Sequence, residues 1–170
     1  LKAMRRRITK AETEELVARL RREIPDIALR TTMLVGFPSE SEEDFEELCD
    51  FIQRVRFDRL GAFAYSEEEG TPSALHLEDN VPAEVKESRV ERLMKIQKGI
   101  SLALNSERVG KDMRVIIDRT EGEFYIARSQ YDSPEVDEEI LIPTTRELGI
   151  GDMVDIRVTD YDEYDLYGEI

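Results

Sequence analysis

The chain has 170 residues, of which 24 are basic and 39 acidic, so its formal net charge is −15. Bulk charge therefore argues against nucleic-acid binding, which needs a net basic footprint, while the 40% hydrophobic content is too high for disorder. One cysteine and one histidine exclude a disulfide framework and an ordinary zinc or iron–sulfur site built from this chain alone. No apolar run approaches the ~20 residues of a membrane span, and no signal-peptide pattern is visible. We therefore expect a soluble cytoplasmic protein with no membrane partner.

Residues 1–108 predict helices that alternate with short buried strands. The strands have the apolar, β-branched composition of a parallel sheet, and Thr9 and Ser41 stand where helix N-caps are expected. In chain order, the expected elements are a helix from Thr9 to Pro25, a strand over 27–35, a helix over 42–55, a strand over 60–65 and a helix over 83–107. Such alternation is typical of βα units. Because two strands are too few for a whole barrel, this half is expected to be the C-terminal part of a larger α/β domain.

Residues 109–170 have a different pattern, with short alternating strands and no long helix. They carry 6 basic and 17 acidic side chains, a net charge of −11. The expected strands are Met113–Asp118, Glu123–Arg128, Glu138–Ile142, Met153–Thr159 and Asp165–Ile170. Five short strands in about 60 residues predict a small five-stranded antiparallel β-barrel of the OB-like type.

The segment Gly36–Glu40 joins the end of a predicted strand to the start of a helix. Ligands of α/β sheets and barrels bind at this edge, where the N–H groups of a glycine-containing turn can receive a nucleoside or a carboxylate. The alternative is an ordinary βα turn that needs a glycine. Cys49 lies on an apolar helix face and is expected to be a buried structural thiol, and His76 has no companion ligand nearby.

Tyrosines and acids are interleaved near the C-terminus, where Tyr161, Tyr164 and Tyr167 alternate with four carboxylates. Tyrosine offers rigid contact area and carboxylates pair with Arg and Lys, so this segment could dock a basic protein. The alternative is a solvated surface that only promotes solubility.

Several motifs together resemble the methylthiotransferases of the radical S-adenosylmethionine (SAM) superfamily, and they cover essentially the whole chain. The last 60 residues resemble the TRAM domain, a small β-barrel appended to these enzymes. The motifs that carry the resemblance are Leu1–Arg6, Leu29–Glu40, Asp44-Phe45, Phe63–Ser66, Glu69–Thr71, Arg89–Gln97 and Ile100-Ser101.

Two branches of this family differ in substrate. The run Ser133–Asp137, preceded by Arg128, resembles the RimO branch, which methylthiolates an aspartate of small-subunit ribosomal protein twelve. The tRNA-modifying MiaB branch usually carries a more basic TRAM domain, so the net charge of −11 favours a basic protein substrate. The alternative is a fragment of a tRNA-modifying enzyme whose TRAM domain binds tRNA.

The resemblance implies SAM and two [4Fe–4S] clusters as cofactors of the full-length enzyme. None of the family's cluster cysteines is present here, and Cys49 matches no ligand position. The chain is therefore expected to be a C-terminal fragment, with the end of a radical SAM barrel over 1–108 and a TRAM domain over 109–170. We expect it to hold no cofactor and to be inactive without the missing N-terminal domains. Its exposed strand edges predict some self-association.

The resemblance also implies which residues contribute to the cofactor and substrate sites. Ser39 stands where the family often has glycine, which puts the geometry of its turn in question. The residues expected at the SAM nucleoside are Leu34, Gly36, Glu40, Ala64, Tyr65 and Ser66. From the acidic tyrosine segment, the residues expected to dock the substrate protein are Asp160, Tyr161, Asp162, Glu163, Tyr164 and Asp165.

Overall fold

The computed structural model describes residues 1, 3–4, 6–134 and 136–170. Lys2, Arg5 and Glu135, which belong to two of the motifs named above, lie outside these residues. The chain divides into two compact units, Leu1–Gln97 and Lys98–Ile170. Within the described residues, no helix combines the length and apolar character needed to span a membrane.

The first unit is built from helices and two strands, most of them close to their predicted bounds. Thr9 and Ser41 are N-caps that each form a complete capping box, which explains why both helices begin where the sequence predicts. The elements are α1 (Lys10–Glu23), β1 (Arg30–Val35), α2 (Glu42–Val55), β2 (Arg59–Ala64), α3 (Pro72–His76) and α4 (Ala83–Ser106). The last residues of α4, from Lys98 onward, belong to the second unit.

Two local features differ from the sequence prediction. β1 begins at Arg30, because the N–H of Ile27 donates to the carbonyl of Ile24 and forms a turn there instead of extended backbone. The short helix α3 replaces part of a predicted loop, and its sequence signal is Thr71 at the N-cap followed by Pro72 in the first turn.

β1 and β2 pair in parallel, with a register that runs from Arg30↔Arg59 to Val35↔Ala64. The helices cover one face of this sheet with a single apolar core, composed of Leu29, Val35, Phe45, Cys49, Ile52, Phe57, Leu60 and Leu93. Leu34 and Phe63 are register partners, and their side chains are 40% and 60% exposed. The face on which these two lie is therefore open in this chain.

The second unit contains a closed five-stranded barrel with the order β3-β4-β5-β7-β6, which confirms the predicted barrel. Its strands are β3 (Asp112–Glu121), β4 (Phe124–Ser129), β5 (Ile140–Pro143), β6 (Met153–Tyr161) and β7 (Leu166–Glu169). One pairing differs from the antiparallel prediction, since β5 and β7 run parallel. A closed barrel with an odd number of strands cannot be antiparallel at every pairing. Because the other four pairings are antiparallel, β5 and β7 run in the same direction.

Alternating residues of the strands fill the barrel, as the period of two requires. Register shifts next to Ile117 and next to Val158 bend β3 and β6 and help the sheet to close. The side chain of Tyr125 fastens the loop before β6, because its hydroxyl donates to the carbonyl of Arg146 and accepts from the N–H of Leu148. The apolar core of the barrel consists of Val115, Ile117, Tyr125, Ala127, Ile140, Ile142, Ile156, Val158 and Leu166.

Candidate functional site

The six residues predicted at the SAM nucleoside lie together at the carboxyl edge of the parallel sheet. β1 and β2 end side by side, and the N–H of Tyr65 donates to the carbonyl of Val35 at 2.8 Å, which extends the pairing past β2. Leu34, Ala64 and Ser66 are exposed at this edge, whereas Gly36 and Tyr65 are buried. The arrangement offers a ligand one aliphatic side chain and the backbone of two adjacent strand ends.

The turn after β1 has an unusual backbone that the rest of the unit holds in place. Gly36 and Ser39 have φ of 72° and 71°, in the left-handed region that favours glycine. Ser39 adopts this conformation although it carries a side chain, and its N–H donates to Asn80 Oδ1 at 2.8 Å. The turn therefore contains some backbone strain at Ser39.

Glu40 closes the same turn from its other end. Its Oε1 accepts the N–H of Gly36 at 2.9 Å and a guanidinium N–H of Arg89 at 2.7 Å. Arg89 also donates to the carbonyls of Glu40 and Ser41 and to the carboxylate of Glu42. Because the side chains of Glu40 and Arg89 are only 13% and 7% exposed, the carboxylate is occupied by the protein itself. A contact from Glu40 to a ligand stays a prediction.

Lys86 joins the turn after β1 to the end of β2. Its Nζ donates to the carbonyl of Tyr65 at 3.3 Å and to Asp79 Oδ2 at 2.5 Å, and it lies 5.1 Å from the centre of the Tyr65 ring. Its aliphatic stem packs directly on the Cα of Gly36. One buried side chain of α4 thus contacts both strand ends of the candidate site.

Sequence reasoning missed Lys86 and Arg89 because both lie in a helix that was interpreted from its apolar residues. The buried stripe of α4 includes Leu93, Gln97 and Ile100, and its helical spacing continues backward onto Lys86 and Arg89. Two basic residues on the buried stripe of a helix indicate buried ion pairs, so this spacing was a signal that could have identified them.

The second set of predicted residues lies at the end of β6 and in the turn before β7, where two of its carboxylates have structural roles. Asp162 Oδ1 accepts the N–H groups of Tyr164 and Asp165, and its Oδ2 accepts the Tyr167 hydroxyl. Burial opposes its ionisation, but these hydrogen bonds outweigh burial and lower the pKa of Asp162. Asp165 Oδ1 accepts the N–H of Glu139 at 3.1 Å and ties the turn to β5.

The other predicted docking residues are closer to solvent. Glu163 pairs with Lys98 of the same unit at 2.6 Å, and the same ammonium lies over the ring of Tyr164. Tyr164 is 63% exposed, and Asp160 is also exposed. Tyr161 is half-buried against the barrel core. Asp160 and Tyr164 are therefore the members of this set that can meet a partner without disturbing the turn.

Asp165→Asn is expected to stabilise the barrel at pH 7, and the gain should fade as the pH falls toward 4. Burial, aided by the charges of Asp162 and Glu139, raises the pKa of Asp165 above its unfolded value. The folded state therefore binds the proton more tightly, and stability falls as the pH rises through the folded pKa. Asparagine keeps the oxygen that accepts from Glu139 and has no charge to bury.

Urea unfolding followed by tyrosine fluorescence, at several pH values, measures this effect. The method reports the barrel because five of the chain's six tyrosines lie in the second unit. Asp160→Asn removes the same charge at an exposed position and controls for net charge. If the two variants gain equally at every pH, burial of Asp165 is not the cause.

Metal binding finds no support in the side chains that the structure describes. These residues contain no group of three or more His, Cys, Asp or Glu side chains that could hold a metal ion. Cys49 is 1% exposed in the apolar core of the first unit, and burial raises the pKa of its thiol. A single buried thiol does not fit an iron–sulfur cluster, which is held by several thiolates.

Comparison with known proteins identifies the second unit first. Residues 109–170 match the family model described as the TRAM domain. This segment contains all five strands of the closed barrel. Residues 109–170 are a TRAM domain. The predicted boundary between residues 108 and 109 coincides with the start of this match, while the compact unit that contains the TRAM domain begins earlier, at Lys98 in α4.

The chain is also similar over its whole length to curated proteins named ribosomal protein uS12 methylthiotransferase RimO. It is 54% identical to those of Bacteroides thetaiotaomicron and Parabacteroides distasonis, matching 100% of this chain and 39% of each relative. It is 47% identical to that of Cytophaga hutchinsonii, with the same coverage. The resemblance to the RimO branch is therefore confirmed, and the chain spans about two fifths of the length of these relatives.

Proposed function

We propose that this chain is part of a radical SAM methylthiotransferase that modifies an aspartate of ribosomal protein uS12, the small-subunit protein twelve. The observation that carries the proposal is the 54% identity along the whole chain to proteins named for that activity. The chain contributes one edge of the SAM nucleoside site and the TRAM domain. Its clusters are held by the part of the enzyme outside this chain, where SAM is cleaved. The enzyme works in the cytoplasm, where its ribosomal substrate is found.

Two features of the first unit support the nucleoside role. The carboxyl edge of β1 and β2 presents the exposed side chain of Leu34 beside backbone that Glu40 and Lys86 fix. Leu34 and Phe63 are register partners, and both are exposed on the open face of this sheet. Within the described residues the sheet has only two strands, and its two outer edges favour the self-association expected of the chain alone.

The enzyme that contains this segment, reconstituted with iron and sulfide, should add one methylthio group to uS12 when SAM and reductant are supplied. Mass spectrometry of the substrate measures the addition and locates it on an aspartate. The same enzyme assayed with tRNA tests the alternative substrate. Modification of tRNA, with none of uS12, would contradict the proposal.

The charge of the TRAM domain supports a basic protein as the docking partner. Its 62 residues carry a net charge of −11. Asp160 near the end of β6 and Tyr164 in the turn before β7 are both exposed. Carboxylates steer a basic partner toward the surface, and an exposed tyrosine provides contact area once it arrives. Phosphate backbones would be repelled by the same charge.

Binding of uS12 to the 170-residue chain should weaken ~10-fold in the variant Asp160→Asn/Tyr164→Ala, the scale of losing an aromatic hot spot. Fluorescence anisotropy with labelled uS12 at increasing salt measures affinity and its electrostatic part. Glu123→Gln/Tyr131→Ala is the matched control, since it makes the same changes of charge and size at other exposed positions of the TRAM domain. Equal losses in both variants would mean that the turn before β7 is not the docking surface.

A further inference from the structure

Lys86 is a buried charged side chain at the edge of the candidate site. It extends from the first turns of α4 to the carboxyl edge of the sheet, where its ammonium contacts the carbonyl of Tyr65 and the carboxylate of Asp79. Its stem lies on Gly36 so closely that a Cβ built there would be 3.0 Å from Lys86 Cδ and 3.1 Å from its Cβ, and would overlap its Cγ. The side chain is only 8% exposed.

The free-energy cost of burying the Lys86 ammonium indicates that this side chain has a role beyond packing. An ammonium taken from water is costly unless it is paired and hydrogen-bonded, and an apolar side chain of the same length would fill the space without that cost. What only the ammonium provides is a donor for the carbonyl of Tyr65. That carbonyl lies at the end of β2, and we propose that the nucleoside contacts the backbone of this strand end.

The segment that contains Asp79 also contacts the turn after β1. Asn80, next to Asp79, accepts the N–H of Ser39, so the segment before α4 restrains the turn after β1. Lys86 is hydrogen-bonded to that segment through Asp79 and to the end of β2 through Tyr65. The two strand ends are thus linked through Lys86 and the segment before α4, in addition to the backbone hydrogen bond from Tyr65 to Val35.

We propose that Lys86 is a positioning residue for nucleoside binding, which sets the distance between the Gly36 turn and the backbone of Tyr65. This inference rests on the proposed function, because it needs SAM to bind at this edge. Lys86 touches neither the reacting atoms nor the ligand and acts through these two backbone segments. A nucleoside that contacts both the Gly36 turn and the backbone of Tyr65 binds less tightly when the distance between them changes, because small displacements of a fitted site weaken binding steeply.

The experiment compares Lys86→Met with the unchanged enzyme that contains this segment. Methionine keeps the unbranched stem that packs on Gly36 and removes the ammonium. The dissociation constants for SAM and for adenosine, measured by equilibrium dialysis, should both rise about tenfold, because both ligands carry the nucleoside. In steady-state assays the KM for SAM should rise while kcat at saturating SAM stays near that of the unchanged enzyme.

Arg92→Met is the matched control. Arg92 lies on the same helix and also pairs with a carboxylate, that of Glu46 in α2, but this pair is exposed and involves neither Gly36 nor Tyr65. SAM affinity should not change in this variant. Asp79→Asn is a second, milder variant for the case in which Lys86→Met does not fold, since it loosens the ammonium without removing it.

The outcomes separate the two proposals. If the unchanged enzyme does not bind SAM, the proposed function fails. If it binds SAM and the variants at Lys86 and Asp79 lose thermal stability while both dissociation constants stay the same, Lys86 is only a structural residue and the inference is overturned. A fall in kcat with no change in KM would also overturn it.

Discussion

Gly36→Ala is expected to destabilise the first unit by about 2–5 kcal/mol, from backbone strain and steric overlap combined. Gly36 has a φ of 72°, where a Cβ is unfavourable, and that Cβ would overlap Lys86 Cγ. Lys86 cannot swing aside without giving up Asp79 and the carbonyl of Tyr65. The substitution therefore either distorts the turn after β1 or leaves the buried ammonium of Lys86 unpaired.

The single cysteine of the chain measures this effect. Cys49 is buried in the core of the first unit, so its rate of reaction with a thiol reagent reports how often that unit opens. Gly70→Ala is the control, because Gly70 also has a positive φ, of 79°, but no atom of the described residues lies within 4 Å of its added Cβ. It should cost only ~1 kcal/mol for the backbone. Equal effects at both glycines would show that contact with Lys86 is unimportant.

Much of the fold could be predicted from local signals. The capping boxes at Thr9 and Ser41 predicted two helix starts, and alternation over the last 60 residues predicted a small five-stranded barrel. The parallel pairing of β5 and β7 could not be predicted in this way, because it depends on which strands become neighbours when the barrel closes. That neighbourhood is set by long-range packing and is not visible in the period of any one strand.

The candidate site was predictable only in part. The position of Gly36 between a strand and a helix was compatible with a ligand-binding edge and with an ordinary βα turn. The residues named by the family resemblance, among them Leu34, Gly36 and Tyr65, do lie together there. The role of Glu40 was not visible, because its partner Arg89 lies 49 residues further along the chain. The sequence likewise predicted that the whole acidic segment before β7 is surface, although the carboxylates of Asp162 and Asp165 accept backbone hydrogen bonds that shape the turn.

Arg89→Met is expected to destabilise the first unit by about 3–5 kcal/mol, the usual cost of removing one partner from a buried ion pair. Arg89 is the shared donor for the carboxylate of Glu40, the carbonyl of Ser41 and the carboxylate of Glu42, and it stacks 5.1 Å from the ring of Phe45. Methionine keeps the contact with the ring but leaves Glu40 as a buried charge with only the N–H of Gly36 to compensate it.

A double-variant cycle shows whether that uncompensated charge is the cause. Glu40→Gln in the Arg89→Met background removes the buried charge and keeps an oxygen that can accept from Gly36, so part of the lost stability should return. Cys49 reactivity measures all four members of the cycle. Arg54→Met breaks an exposed pair between α2 and Glu14 of α1 and should change the rate little. If the double variant is no more stable than Arg89→Met alone, the loss comes from packing of the arginine stem, and the ion pair with Glu40 does not organise the turn.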